Sequence, residues 1–317
     1  MRILGRHGIA AARTLEQKIS DAGPFNQRID PHVLTPVRNA LVKQGQIVKL
    51  YEHNAPWFHL ASTPNTTVQE RLNEQLPVFR ALQHGNTGSR VGQCLEIAIY
   101  RALLRQNNLE YLGRFTNLDD HDDSQQYSKE EPPQSMSGRC LQGKQRLDFL
   151  VRHQEAGWAG IEAKNVREWL YPDREEVAEL LDKAVALDCV PVLVGRRIPF
   201  VTFKVLSTCG VVFHQTYNQL LPEADSRLAE EARDKRLLGY HDIRVGNEPD
   251  SRLLKFIGTN LPRVMPRARQ LFEQYKDLLA DFAAKTIDYH EFAARVRRRS
   301  QGLDEDSDWE RSEYYDE

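Results

Sequence analysis

RLDFLVRHQEAGWAGIEAK, residues Arg146 to Lys164, is the stretch from which the fold can be read. In RLDFLV, Leu147, Phe149 and Val151 fall on one face of a strand and Asp148 shares the other with Leu150, because successive side chains alternate. Asp148 is therefore an acid inside an apolar strand. His153-Gln154-Glu155-Ala156-Gly157 reads as a hairpin loop, with Gly157 free to take the positive φ that such a loop requires. A second strand, WAGIEAK, follows. Alternation puts Trp158, Gly160, Glu162 and Lys164 on one side, so Glu162 and Lys164 stand about 6.6 Å apart along the strand and point the same way.

Two carboxylates from neighbouring strands with an ammonium beside them offer hard oxygen ligands, which suit Mg2+, with Mn2+ as a substitute, better than zinc. Such an ion polarises a phosphoryl oxygen and lowers the pKa of a bound water. Lys164 would orient or help deprotonate that water and offset charge growing on the phosphate. An Asp, thirteen residues, then Glu-Ala-Lys, on a β-hairpin, resembles the catalytic motif of the PD-(D/E)XK nuclease superfamily, which includes restriction endonucleases and Holliday junction resolvases. Leu147 stands where that motif usually has Pro. The resemblance implies that Asp148 and Glu162 ligate metal, that the Ala163 carbonyl completes the shell and that Lys164 positions water. The same residues also admit a solvated edge-strand ion pair worth about 0 to 1 kcal/mol. Apolar residues on both faces favour a strand buried on both sides.

The 317 residues suggest two domains, or one with an appended module. Hydrophobic residues at 40% and charged residues at 28% describe a folded globular chain rather than a disordered one. The net charge of -2 hides an asymmetry, because Leu303 to Glu317 holds eight acids against one Arg and leaves the preceding residues net basic by five. A basic body with an acidic tail is compatible with a polyanion partner. Cys94, Cys140, Cys189 and Cys209 form no CxxC pair, so neither a zinc site nor a disulfide framework is expected. No apolar run approaches about 18 residues and MRILGRHG lacks a signal-peptide core, so no membrane partner and a cytoplasmic location are expected.

From the N-terminus, Ile9, Ala12, Leu15 and Ile19 have helical spacing over Gly8 to Ala22, and a second short helix is expected around Phe25 to Leu34. Thr35-Pro36 reads as N-cap and first residue of a third helix, with Val37, Leu41 and Val42 as its apolar face and Gly45 as its stop. QIVKLY and PWFHLA are two short strands around Glu52-His53-Asn54-Ala55. Three helices and a small hairpin resemble a winged helix-turn-helix, assigned to residues 1–64, which in that family serves either DNA or protein contact. The third helix then presents Arg38, Asn39, Lys43 and Gln44 to bases or phosphates, with Lys49 and His53 on the wing.

ASTPNTT reads as a linker, and residues 65–87 as a linker helix from Val68 divided or kinked by Pro77. Gly85 to Ser89 reads as a turn, with Ser89 as N-cap of a helix over Arg90 to Gln106 whose stripe is Val91, Leu95, Ala98, Ile99, Ala102 and Leu103. Glu96 borders that stripe. It is either an ordinary boundary acid or, as the resemblance implies, a helper of the metal or its water. Leu109 to Phe115 is the first expected core strand. Asn117 to Gly143 reads as a long surface excursion, with Asp119 to Asp123 around His121 as either a metal cluster or, the commoner case, a solvated acidic loop, and with Arg139, Lys144 and Arg146 as phosphate contacts at its end.

After the hairpin, Asp173 to Leu187 has the spacing of a crossover helix. Lys183 on it reads as solvated, although the superfamily sometimes places a Lys or Gln there facing the site. Val190 to Val194 and Val211 to His214 are further strands. The order helix, three strands, helix, strand resembles the superfamily core, assigned to residues 88–222. Residues 223–302 read as a C-terminal helical extension with a break near Thr286, and 303–317 as an acidic tail. Arg295, Arg297, Arg298 and Arg299 either grip phosphate or satisfy that tail.

The expectation is an α/β chain: a restriction endonuclease-like mixed sheet flanked by helices, preceded by a small α+β winged-helix domain and followed by C-terminal helices. Its expected activity is Mg2+-dependent DNA cleavage leaving 5′-phosphate and 3′-hydroxyl ends, in repair, mobile-element or anti-phage defence. A homodimer is an expectation by resemblance alone. The alternatives are a DNA-binding or scaffold protein that does not cut, and a nuclease subunit silent without a partner ATPase, since no GKT or GKS loop occurs here.

Overall fold

The computed structural model describes residues 1–20, 33–106, 109–119 and 123–305. The expected helix around Phe25, the acidic loop at His121 and most of the acidic tail lie outside these residues.

Along the chain run α1 (Arg2–His7), β1 (Ile9–Ala11), α2 (Ala12–Ser20), α3 (Leu34–Lys43), β2 (Ile47–Glu52) and β3 (Ala55–Leu60). Then come α4 (Asn65–Gln83), α5 (Gly85–Leu104), β4 (Glu110–Leu112), β5 (Arg114–Phe115), β6 (Lys129–Glu130), β7 (Ser135–Met136) and β8 (Arg139–Cys140). The central elements are β9 (Phe149–His153), β10 (Gly157–Lys164), α6 (Glu175–Leu187), β11 (Val190–Gly195), α7 (Phe200–Thr208) and β12 (Val212–Gln215). Last are β13 (Gln219–Leu221), α8 (Ser226–Arg233), β14 (Ile243–Val245), α9 (Ser251–Lys255), α10 (Leu261–Ala283) and α11 (Tyr289–Ser300). The protein is a mixed α/β chain divided into two compact units. One is Met1–Cys94 with Asp122–Gln126 and Asn218–Asn247, the other Leu95–His121, Tyr127–Tyr217 and Glu248–Glu317.

In the first unit, β1, β3 and β2 form an antiparallel sheet in that order. The β2–β3 turn uses His53 and Asn54 at φ 48 and 55, the left-handed pair that a two-residue hairpin requires. Trp57 is fully buried with Ile9, Leu72 and Phe79 around it. Residues 9–11 are a strand, not the start of the expected helix. The short apolar run Ile9-Ala10-Ala11 fits either period, and pairing with Trp57 to His59 buries all three. Leu41 and Val42 of α3 pack inward as expected, whereas Val37 is 53% exposed. Thr35 does not cap α3, which begins at Leu34; its hydroxyl accepts from Arg38 at 3.1 Å. α4 starts inside the stretch read as linker and runs through Pro77 without ending. α5 likewise begins at Gly85, where a turn was expected, and the Ser89 hydroxyl bonds the Gly85 carbonyl at 3.0 Å instead of capping.

In the second unit a five-stranded sheet has the order β12-β11-β10-β9-β4. β4, β9 and β10 are antiparallel, and β10, β11 and β12 are parallel. Gly157 closes the β9–β10 hairpin at φ 72, as its position predicts. Pro191 tolerates its place because the β12 ladder starts only at Val192. α6 and α10 supply Leu180, Leu181, Phe272, Tyr275 and Leu279 to a core shared with Leu150 of β9 and Leu193 of β11. The first core strand is shorter than expected. It leaves the sheet at Gly113, and Arg114–Phe115 pair instead with Lys129–Glu130 of the excursion. Gly113 has φ 101, and a Cβ there would meet the Asp148 carbonyl at 2.7 Å.

Candidate active site

Asp148 stands immediately before β9. Its amide donates to the Ile161 carbonyl at 3.1 Å, which carries the ladder one residue beyond the strand. Its Oδ2 accepts the Ala163 amide at 2.6 Å. Since Ile161 pairs with Phe149 and β9 begins there, the Asp148 carboxylate satisfies an amide that has run out of strand partner.

Glu162 lies on β10, an inner strand flanked by β9 and β11, so the edge-strand reading does not apply. Its side chain is 5% exposed and accepts from two ammonium groups: Lys164 Nζ at 2.8 Å to Oε1, and Lys183 Nζ at 3.1 Å to both oxygens. Burial pushes the Glu162 carboxyl up and the Asp148 charge adds to this, while Lys164 and Lys183 oppose it; the net direction is upward. For Lys164, burial works against the charged form, but Glu162 outweighs it and holds the ammonium above its ordinary range. Lys164 is accordingly a hydrogen-bond donor and positive charge at neutral pH, which fits positioning better than deprotonation.

Lys183 departs from its expected solvated state. Its side chain is 7% exposed and turned onto Glu162, although in α6 it follows Leu180 by three and precedes Leu187 by four, a spacing that marks the apolar face.

Glu96 on α5 comes to the same place through Lys129, a residue to which the sequence reading gave no role. Lys129 Nζ lies 2.5 Å from Glu96 Oε2, 3.4 Å from Glu131 Oε2 and 3.5 Å from Asp148 Oδ1. Its side chain is 5% exposed, with the ammonium 4.8 Å from the Phe149 ring centroid and 5.8 Å from that of Phe115. Burial and the neighbouring Asp148 raise the Glu96 carboxyl to about 7 despite Lys129. Lys129 loses favour through burial, but Asp148, Glu96 and Glu131 together keep it charged. One ammonium thus serves three carboxylates. No local pattern around Lys129 signals this placement; it depends on the pairing of Phe115 with Lys129.

The residues read as nucleic-acid contacts are not gathered at this site. In the first unit, Arg38 does not face out: it pairs with Glu16 at 2.8 Å and lies 5.5 Å over Phe58. Asn39, Lys43, Gln44 and Lys49 are exposed, with Lys49 Nζ 4.6 Å over Tyr51. In the second unit, Arg139 pairs with Asp188 at 2.5 Å and Arg146 donates to the Pro132 carbonyl at 3.1 Å, while Lys144 is exposed. Arg299 pairs with Asp277 at 2.6 Å and also with Glu305, so this arginine satisfies acids of its own chain.

Asp148 and Glu162 offer hard carboxylate oxygens, the ligand type that suits a divalent cation of the Mg2+ class, and the Asp148 charge helps to raise the Glu162 carboxyl. Among the described residues, no group of three or more His, Cys, Asp and Glu side chains is arranged to hold a metal, and all four cysteines are free. No helix among the described residues is long and apolar enough to cross a membrane. Compared with family models, curated proteins and solved structures, the chain matches none.

Proposed function

We propose that this protein is a metal-dependent DNA nuclease with a restriction endonuclease-like core and an N-terminal winged helix. The observation that carries the reading is the convergence of Asp148, Glu162 and Lys164 at the start of β9 and on β10, held by the Ala163 amide and the Glu162–Lys164 ion pair. The sheet order and the helices before and after the three antiparallel strands support it. So does the β1–β3 pairing, which gives the N-terminal hairpin a third strand.

Asp148, Glu162 and the Ala163 carbonyl would hold Mg2+ or Mn2+, which supplies Lewis-acid polarisation of the phosphate when bound. Lys164 presents its ammonium to the phosphate oxygens and orients the attacking water. Lys183 keeps Glu162 fixed in place, and Glu96 takes a proton more readily than an ordinary carboxylate. Attack at phosphorus breaks the bond to the 3′ oxygen, leaving 5′-phosphate and 3′-hydroxyl ends.

The test is cleavage of labelled linear, nicked, branched and single-stranded DNA by the full chain with Mg2+ or Mn2+, beside Asp148→Ala, Glu162→Ala and Lys164→Ala. The expected result is metal-dependent cutting that each substitution abolishes while DNA binding stays nearly intact. Unchanged cutting by any of the three would sink the assignment. A second reading, a DNA-binding or scaffold protein that does not cut, is favoured by the ammonium groups that already engage Glu162 and Asp148. DNA binding with neither cleavage nor metal uptake would establish it. A partner ATPase or a homodimer enters if metal binds but nothing is cut by the chain alone.

A further inference from the structure

Lys129 does not belong to the motif, yet its ammonium touches the first of the proposed metal ligands. It reaches Asp148 Oδ1 at 3.5 Å, Glu96 Oε2 at 2.5 Å and Glu131 Oε2 at 3.4 Å, and it is almost fully enclosed. Phe115 and Phe149 flank it, so its negative neighbours and the negative faces of two rings define a compact cation pocket already filled by the protein itself. A doubly charged ion on Asp148 and an ammonium within a few ångströms of the same carboxylate repel each other strongly in a poorly solvated site.

We propose that Lys129 is an internal counter-cation that competes with the divalent ion for Asp148, so that loading of the site requires Lys129 to withdraw. Its tether suits this. Lys129 reaches the site from the excursion, on a two-residue strand paired with Arg114–Phe115 and continued by the Thr116 amide to the Ser128 carbonyl at 3.0 Å, a shorter pairing than those of the five-stranded sheet. Elements held by so few pairings open at low cost compared with core strands. Displacement of the Lys129–Glu130 strand would then expose Asp148 to metal. In this role Lys129 is a positioning residue rather than one that meets substrate.

The inference rests on Asp148 being a metal ligand, and the test separates the two ideas. Mn2+ binding is measured by calorimetry and by the spin resonance of free Mn2+ for the full wild-type chain, Lys129→Met, Lys129→Gln and Lys129→Arg, without DNA. Met keeps the apolar stem between the rings, and Gln retains a hydrogen-bond donor to Glu96 should Met fold poorly. The expected result is Mn2+ binding at least about ten-fold tighter in Met and Gln than in wild type, little change in Arg, and a larger Mn2+-induced rise in melting temperature for the two neutral variants. Equal affinity in wild type and the neutral variants, with Mn2+ bound in all, overturns the competition while leaving the metal site standing. Weaker binding in the neutral variants overturns it as well, and makes Lys129 a support of the site. Absence of Mn2+ binding in every chain overturns both the competition and the metal reading.

Discussion

Glu162 is enclosed with two ammonium groups on it, and each of them answers for part of the cost of burying a carboxylate. Lys183→Met removes the more buried partner and leaves charge behind, which should destabilise the fold by about 3 kcal/mol, seen as a lower midpoint in urea unfolding. Glu96 should make stability depend on pH in a definite direction. Its carboxyl is raised from 4.5 to about 7, first by burial and then by Asp148, so the folded chain binds the proton more tightly than the unfolded one. That contribution is fully present below the unfolded value and is lost as pH rises through the folded value. Glu96→Gln should flatten the fall in stability across this window, a change on the order of 3 kcal/mol at most, read from urea melts of both chains at successive pH values.

At the scale of elements, the turn from β4 into β5 is the place where sheet and excursion meet. Gly113→Ala would set a Cβ 2.7 Å from the Asp148 carbonyl and 3.0 Å from the Phe149 ring, at a φ of 101 that alanine does not tolerate. The expected loss is about 2 to 3 kcal/mol in denaturant melts, together with cleavage, because Asp148 shifts with its backbone. The hairpin from Arg146 to Lys164 was readable because two-residue alternation and Gly157 each point to the same strands, and α6 because its apolar residues recur every three or four. Other features were not local. Ile9–Ala11 became a strand through β3, the excursion entered the site through Phe115 and Lys129, and Arg38 turned inward because Glu16 and Phe58 are there to receive it. Sequence spacing supplies periods, but it does not name the partner across a sheet. Lys183 is the exception, since its place between Leu180 and Leu187 marks the apolar face although lysines are ordinarily solvated.

At the scale of the whole molecule, the helices after residue 222 are not an accessory to the five-stranded sheet. α10 places Phe272, Tyr275, Leu278, Leu279 and Phe282 in the same core as Leu150, Leu180 and Leu193. A fragment of residues 88–222 should therefore show no cooperative thermal transition by circular dichroism, whereas the full chain does; burying each such side chain is worth roughly 1.5 to 3 kcal/mol. The borders of the five-stranded sheet carry a further consequence, for assembly. β4 offers three residues and β12 four, so a second copy that extended the sheet would gain few main-chain bonds at either edge. If the proposed nuclease acts as a pair, copies that met through helices or loops would have the stagger between their cuts set by side-chain packing rather than by strand register.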